Sequence, residues 1–341
     1  MIDILTIGTA TRDVFLRSNF FKEFHDKDLK KIGISGGVAE CFAWGGKVEV
    51  LKPVITTGGG ATNAAVTFAR QGFKSASIFK IGIDRPGEGI IHELKKEGVK
   101  TLAMKDKNLG TGYSTILLSD IGERTVLVYR GASNNLNLRD VSENKIKCKW
   151  AYIAPGNIEF KALSILVDEL YRNKTKIAID LSSYYLNMGI KKLSPMLKKM
   201  EVVKGNREEI GQLMGMDSEN ESKLFDSFNR AITGIAIMSD GPQGVLVSDR
   251  NYIYRAKTYK EKKLNDRTGA GDAFGSGFVA GLMQKNVKID FSPESIKYAI
   301  RLGSANATSV VEYVGAKEGI LTSKQFFMSR WSKLQIEMSK I

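Results

Sequence analysis

Cysteine and histidine are almost missing from this chain of 341 residues, which has two of each. Cys41 and Cys148 stand far apart and match no metal-ligand spacing, so both read as thiols of a reducing cytosol. His25 and His92 leave little material for a histidine-based triad or a zinc site. No apolar stretch is long enough to cross a bilayer, which argues against a membrane partner. The opening Met-Ile-Asp-Ile-Leu-Thr-Ile-Gly reads as a buried strand, without the basic leader or small-residue cleavage site of a signal peptide; a cytoplasmic protein is expected. Repeats, low-complexity tracts and linkers are also missing. So is a Walker loop, because no glycine cluster is followed by Lys-Ser or Lys-Thr. Any phosphate chemistry must draw its cations from elsewhere.

What is present is ordinary globular material, 43% hydrophobic and 26% charged, enough for one large α/β domain or two smaller ones. The net charge of +14 is spread over short clusters at Lys27–Lys31, Lys191–Lys199 and Lys257–Lys263. No basic tract is interleaved with aromatics, so the surface reads as solvated, with a general pull on anionic nucleotides and no specific nucleic-acid partner.

Short apolar runs at Ile4–Ile7, Ala76–Ile81, Trp150–Ile153, Ile177–Ile179, Val202–Val203 and Ile235–Met238 predict strands. Helical segments are predicted between them at Thr62–Gln71, Gly89–Lys96, Phe160–Tyr171 and Arg207–Met214. Gly72 and Gly98 stand as stops just past the first two. The alternation predicts a mostly parallel sheet covered on both faces, with ligands beyond the carboxyl ends of its strands. Two stretches break the rhythm. Residues 14–57 contain Cys41–Val50, a hairpin candidate around Gly45-Gly46, and residues 111–131 alternate about Asp120-Ile121-Gly122-Glu123. Together they predict a small β lid inserted into one core domain spanning 1–341.

Asn265-Asp266-Arg267-Thr268-Gly269-Ala270-Gly271-Asp272-Ala273-Phe274 places a small-residue turn before an apolar helical run, Ala273–Met283. Glycines let a ligand approach the backbone, and the first amides of a helix favour an anion. A carboxylate beside such a hole suits phosphoryl transfer, with Asp272 taking the proton of an attacking hydroxyl. A glycine turn with Asp272 as a helix cap is the plainer alternative. A second cluster, Gly58-Gly59-Gly60-Ala61-Thr62-Asn63, precedes another helix, and Asp13 follows the first strand, where substrates bind in α/β sheets.

In this order the motifs resemble the ribokinase family, also called the PfkB carbohydrate kinases. Gly8–Asp13 resembles the first-strand substrate motif. Gly58–Gly72 resembles the first family signature, and Ile81–Gly87 the segment after it. Asn206-Arg207-Glu208-Glu209 is similar to the family's Asn-x-x-Glu, and Asp266–Phe274 to its second signature. The resemblance implies a ribokinase-like three-layer α/β/α fold and an ATP-dependent transfer to a hydroxymethyl group of a small sugar. It implies Asp272 as base, with the amides of Gly269, Ala270 and Gly271 as anion hole. Asp13 and Asn63 would hold acceptor hydroxyls, with Gly59 allowing close approach. Asn206 and Glu209 would organise Mg2+ and phosphate, Glu209 through water. Ser239, Gly241 and Thr268 would lie near the nucleotide, Asp266 and Thr268 near a K+ site, and Asn306 near adenine. For Asn306 a capped or surface helix position is the alternative.

The chain departs from the family pattern in places. Lys204 and Gly205 stand where a proline is common, an expected loosening of the turn before Asn206. Arg267 reads as a phosphate ligand or a solvent-facing side chain. The resemblance also implies a homodimer formed through the lid. A nucleoside kinase is the alternative enzyme, with Phe20, Phe21, Phe42 and Trp44 either stacking on a base or forming the lid's own core. A non-catalytic sensor of sugar or nucleotide is the alternative outside enzymes, and Asp272 with its intact Gly-Ala-Gly turn argues against it.

Overall fold

The computed structural model describes residues 1–32, 38–119, 124–137, 147–284 and 291–341. Its main sheet begins with β1 (Ile2–Gly8) at the centre. The strands of a smaller sheet follow in the chain, β2 (Thr11–Leu16) and β5 (Val54–Gly58), with the pair β3 (Lys22–His25) and β4 (Val38–Cys41) between them. Beyond these come β6 (Ser75–Gly82) and β7 (Lys100–Asp106) of the main sheet, then β8 (Gly112–Leu118) and β9 (Arg124–Tyr129) of the smaller one. The main sheet continues through β10 (Cys148–Ala154), β11 (Lys176–Asp180), β12 (Val202–Asn206) and β13 (Ile235–Ser239). It ends in β14 (Val245–Ser248), β15 (Tyr252–Ala256) and β16 (Ile336–Lys340).

The main sheet runs β16-β15-β14-β13-β12-β11-β10-β1-β6-β7. From β7 to β13 every pairing is parallel, and the last three are antiparallel. Strand alternation divides the core. Leu5 and Ile7 of β1 pack under α3 (Phe160–Arg172), α5 (Gly189–Leu197), α6 (Arg207–Met214) and α7 (Glu221–Ala231), while Ile4 faces the opposite layer. That layer holds α1 (Gly60–Arg70), α8 (Ala270–Gln284) and α9 (Pro293–Val310), and α2 (Arg85–Lys96) packs beside α1 on β6. Two single-turn helices, α4 (Ser183–Leu186) and α10 (Ser323–Phe326), complete the set described. The chain is therefore α/β with three layers, as expected, because strands buried on both faces need a helix on each. The edge β14–β16 is not among the strands the sequence predicted; β14 and β15 are only four and five residues long, and β16 joins them from the far end of the chain. Among the described residues no helix is long and apolar enough to cross a membrane.

The smaller sheet has the order β5-β2-β8-β9. Its strands come from both stretches that break the α/β rhythm. The turn residues Asp120–Glu123 lie outside those described. A hairpin about Gly45-Gly46 does not form. Gly46 N–H closes a turn onto the Ala43 carbonyl (3.1 Å), but residues 47–50 pair with nothing, and β4 pairs backwards with β3. Val48 and Val50 have no buried face to line, so their alternation earns no partner strand. Nor do the aromatics form a core there. Phe20, Phe42 and Trp44 are exposed, and only Phe21 meets Phe42 edge to face.

Candidate active site

Three chain ends meet at the carboxyl edge of the parallel strands. After β1, the Thr9 hydroxyl accepts a hydrogen bond from Gly60 N–H at 3.0 Å, which seats the start of α1 against the first strand. Gly59, just before it, holds φ +97°, and a Cβ there would stand 2.5 Å from the Thr9 carbonyl oxygen. The second helix start is α8. Gly269 precedes it at φ +80°, where a Cβ would meet that of Ala316 at 2.5 Å. Only glycine fits this turn; Ala270 N–H closes it onto the Arg267 carbonyl at 3.4 Å, so Gly271 is the next amide of α8 that faces an anion. Asp272 lies in the first turn of α8 and Asn63 in that of α1. The Asn63 amide donates to Asp272 Oδ2 at 2.8 Å across 209 residues of sequence. This contact fixes the carboxylate and turns Asn63 Oδ1, buried and without a partner, away as an acceptor.

Asp13 lies in β2 opposite Thr56 of β5 and Ser114 of β8. It is 5% exposed, and its Oδ1 has no hydrogen-bond partner. Burial pushes its carboxyl above the usual range, against the pull of the Thr11 hydroxyl, Lys317 and the Ser114 hydroxyl; Asp266 pushes the same way as burial. Lys317 was not singled out in the sequence. Its ammonium is buried and donates to the Thr57 carbonyl at 2.7 Å and the Thr57 hydroxyl at 2.9 Å. That hydroxyl donates in turn to Glu93 (2.8 Å), which also pairs with Arg12 (2.9 Å). Burial lowers the Lys317 pKa to about 8, against the fields of Asp13, Glu93, Asp272 and Glu97. The lysine is thus the nearby charge that opposes protonation of Asp13. Replacing it, as Lys317→Met, is expected to shift the acid limb of acceptor kcat/KM upward. The sign follows because a raised Asp13 pKa leaves more of the non-accepting acid at each pH. A pH profile with an unmoved acid limb would separate the two residues.

On the other side of Asp272 lies a buried pair. Alternation along β12 turns Val203 to one layer and Val202 and Lys204 to the other, under α8. Lys204 Nζ donates to both oxygens of Asp180 at 2.7 and 2.8 Å. Burial opposes its charge, but the carboxylate outweighs burial and holds the ammonium above the usual lysine range. A Cβ on Gly271 would lie 3.5 Å from Nζ, so this lysine stands beside the phosphate turn. The expected loosening before Asn206 is absent. Asn206 accepts from Glu209 N–H (2.8 Å) while Glu209 Oε2 accepts from Asn206 N–H (2.7 Å), a capping box that fastens the start of α6. That leaves the second Glu209 oxygen for a water-mediated cation. Mg2+ keeps most of its waters and takes one or two carboxylates plus nucleotide phosphates. Glu209, lining the cleft, supplies one such carboxylate, whereas both oxygens of Asp180 are engaged by Lys204.

Other expected site residues divide. Ser239 ends β13 and lines the cleft; Gly241, at φ +48°, starts the next turn and is not among its lining. Thr268 donates through N–H (2.8 Å) and hydroxyl (2.7 Å) to Asp266 Oδ1. Asp266 is fully buried, and its Oδ2 accepts from Gly315 N–H at 3.2 Å. The pair shapes the turn before α8, and Asp266 has no cationic side chain as partner among the described residues. Asn306 is a correction. It is fully buried, donates to the Ala273 carbonyl (2.9 Å) and Thr67 hydroxyl (3.3 Å), and accepts from Leu321 N–H (2.9 Å). Its amide braces α1, α8 and α9 and has nothing left for adenine.

The cleft holds about 340 Å³, and Asp272, Asp180, Lys204, Glu209, Ser239 and Arg267 are among the side chains that line it. Arg267 therefore faces the cleft. The chain matches the pfkB family carbohydrate kinases over residues 32–323. It belongs to that family and is a carbohydrate kinase. It is similar to a 5-dehydro-2-deoxygluconokinase of Clostridium perfringens, 28% identical over 300 residues, covering 78% of this chain and 81% of the relative. In structure it is similar to a ribokinase from Giardia lamblia, with a TM-score of 0.77, 16% identity and coverage of 95% and 98% of the two chains. An Arabidopsis thaliana ribokinase complexed with ribose and ATP matches at a TM-score of 0.76, 16% identity and 97% and 99% coverage.

Proposed function

We propose that this protein transfers the γ-phosphoryl group of ATP to a hydroxymethyl group of a small sugar or sugar derivative. The observation that carries the reading is the Asn63–Asp272 contact at the meeting of two helix starts, which aims one carboxylate at the space before the Gly269–Gly271 amides. Asp13 Oδ1 and Asn63 Oδ1, both buried acceptors without partners, hold the acceptor's hydroxyls so that its terminal oxygen faces the phosphate. Asp272 takes the proton of that oxygen as it attacks. The α8 amides, Lys204 and Arg267 face the charge that builds on the transferred group. When bound, Mg2+ would supply charge neutralisation of the nucleotide phosphates, held through water by Glu209. Asp266 and Thr268 provide the position for K+.

The smaller sheet serves as a lid over the acceptor. Its edge strand β9 exposes Val126, Leu127, Val128 and Tyr129, an apolar strip that a second copy of the chain would cover in a homodimer. Cys41 and Cys148, neither of them in a disulfide, fit a cytoplasmic protein. A nucleoside acceptor is less well supported, because Phe20, Phe42 and Trp44 are exposed and form no stacking pocket among the described residues. The test is ADP release with Mg-ATP across sugars, sugar derivatives and nucleosides. Acceptor-dependent release is expected with a sugar-class acceptor. Release that is independent of any acceptor, or confined to nucleosides, would overturn the reading.

A further inference from the structure

The lid side of the cleft carries charge of one sign. Arg124 opens β9 and Arg130 follows its last residue, and both line the cleft. Arg124 lies in the strand and Arg130 in the turn after it, at φ −76° and ψ −28°, and the two meet at one cleft. Among the described residues neither guanidinium makes an ion pair or a side-chain hydrogen bond. The acids that line the cleft, Asp180, Glu209 and Asp272, lie on its floor, and Lys204 already answers Asp180. Arg267 and the α8 amides face the nucleotide phosphates. The two lid arginines are therefore positive charge without a counterpart among the described residues.

From these positions we infer that the acceptor is itself an anion, a sugar acid or sugar phosphate whose charged group is held by Arg124 and Arg130. The inference rests on the kinase reading and narrows its substrate class. At the inner end, Asp13 Oδ1 and Asn63 Oδ1, which lie behind Asp272 and outside the lining of the cleft, are buried acceptors that call for hydroxyl donors. The outer end offers guanidinium forks, which match carboxylate or phosphate oxygens in pairs. β9 lies two strands from β2, roughly 10 Å at ordinary strand spacing, and arginine side chains cover part of that gap. A ligand with hydroxyls at one end and a single anionic group at the other spans the remainder. A neutral sugar would leave both cations unanswered.

The test compares glucose and fructose with gluconate and fructose 6-phosphate, in wild type and in the double variant Arg124→Gln/Arg130→Gln. Turnover and acceptor binding by calorimetry are both read. An anionic acceptor is expected to exceed its neutral counterpart about tenfold or more in kcat/KM, with the advantage shrinking as salt rises. Gluconate preference assigns a carboxylate, and fructose 6-phosphate preference a phosphate. The double variant is expected to lose most of that preference through acceptor KM, while the KM for ATP stays within about twofold. Equal or better use of the neutral sugars would overturn the inference and leave the kinase reading standing. So would a variant whose defect lies in the KM for ATP, which would assign the arginines to the nucleotide. Anion binding that the variant abolishes, without turnover of any acceptor, would support the arginine site and count against the kinase reading. Failure of the wild type to bind either anion would overturn the site.

Discussion

Asp272→Asn is expected to lower kcat by about 10²- to 10⁴-fold, the range lost when a positioned base is removed. The replacement is nearly isosteric, and its amide oxygen still accepts from Asn63, so the contact that joins α1 to α8 survives. What disappears is the site for the proton of the attacking hydroxyl. Nucleotide binding should hold or tighten slightly, because a negative charge leaves the neighbourhood of incoming phosphates. Losing a carboxylate from the first turn of α8 costs the helix about 0.3–1 kcal/mol, too little to unfold a domain of this size. The measurement is steady-state turnover at saturating acceptor alongside nucleotide affinity. Near-normal kcat with unchanged affinity would remove Asp272 from the chemistry.

Gly58→Ala is expected to cripple acceptor binding while sparing ATP. A Cβ at this position would lie 1.9 Å from Asp13 Oδ2 and 2.9 Å from the Thr11 hydroxyl. The clash is with a short side chain held on a paired strand, since Gly58 registers with Thr11 across β5 and β2. Asp13 must therefore rotate out of the site or the two strands must part. A hydrogen bond to a charged group contributes about 1.5–3 kcal/mol, so losing the Asp13 contact predicts roughly a ten- to hundredfold rise in acceptor KM. The KM for ATP should change little, because the nucleotide side is built on α6, α8 and β12. Unaltered acceptor KM in a folded variant would show that Asp13 does not hold the acceptor. Gly58 would then be a packing position only.

Much of the frame was legible because its causes are local. The apolar runs of β1, β10 and β13 lie on strands, and α6 spans Arg207–Met214 as read. Gly72 and Gly98 take positive φ just past α1 and α2, where a helix stop needs it. The hairpin at Gly45-Gly46 misled because alternation near a glycine pair has no meaning without a surface to bury against. Asn306 misled for a related reason. A polar residue on an apolar helix looks like a ligand-binding group until the three elements that consume its amide are in view.

By itself, then, the sequence determined the class of fold and the glycine turns. These depend on period, φ preference and nearest neighbours along the chain. Only the tertiary structure decided which groups share the site. Asn63 reaches Asp272 across 209 residues, Lys204 pairs with Asp180 beneath the phosphate turn, and Lys317 is buried beside Asp13. In the sequence those lysines resemble every other lysine of a strongly basic chain. Burial and the choice of partner are set by elements far apart in sequence, and these convert a common surface cation into a charge that acts on one carboxylate.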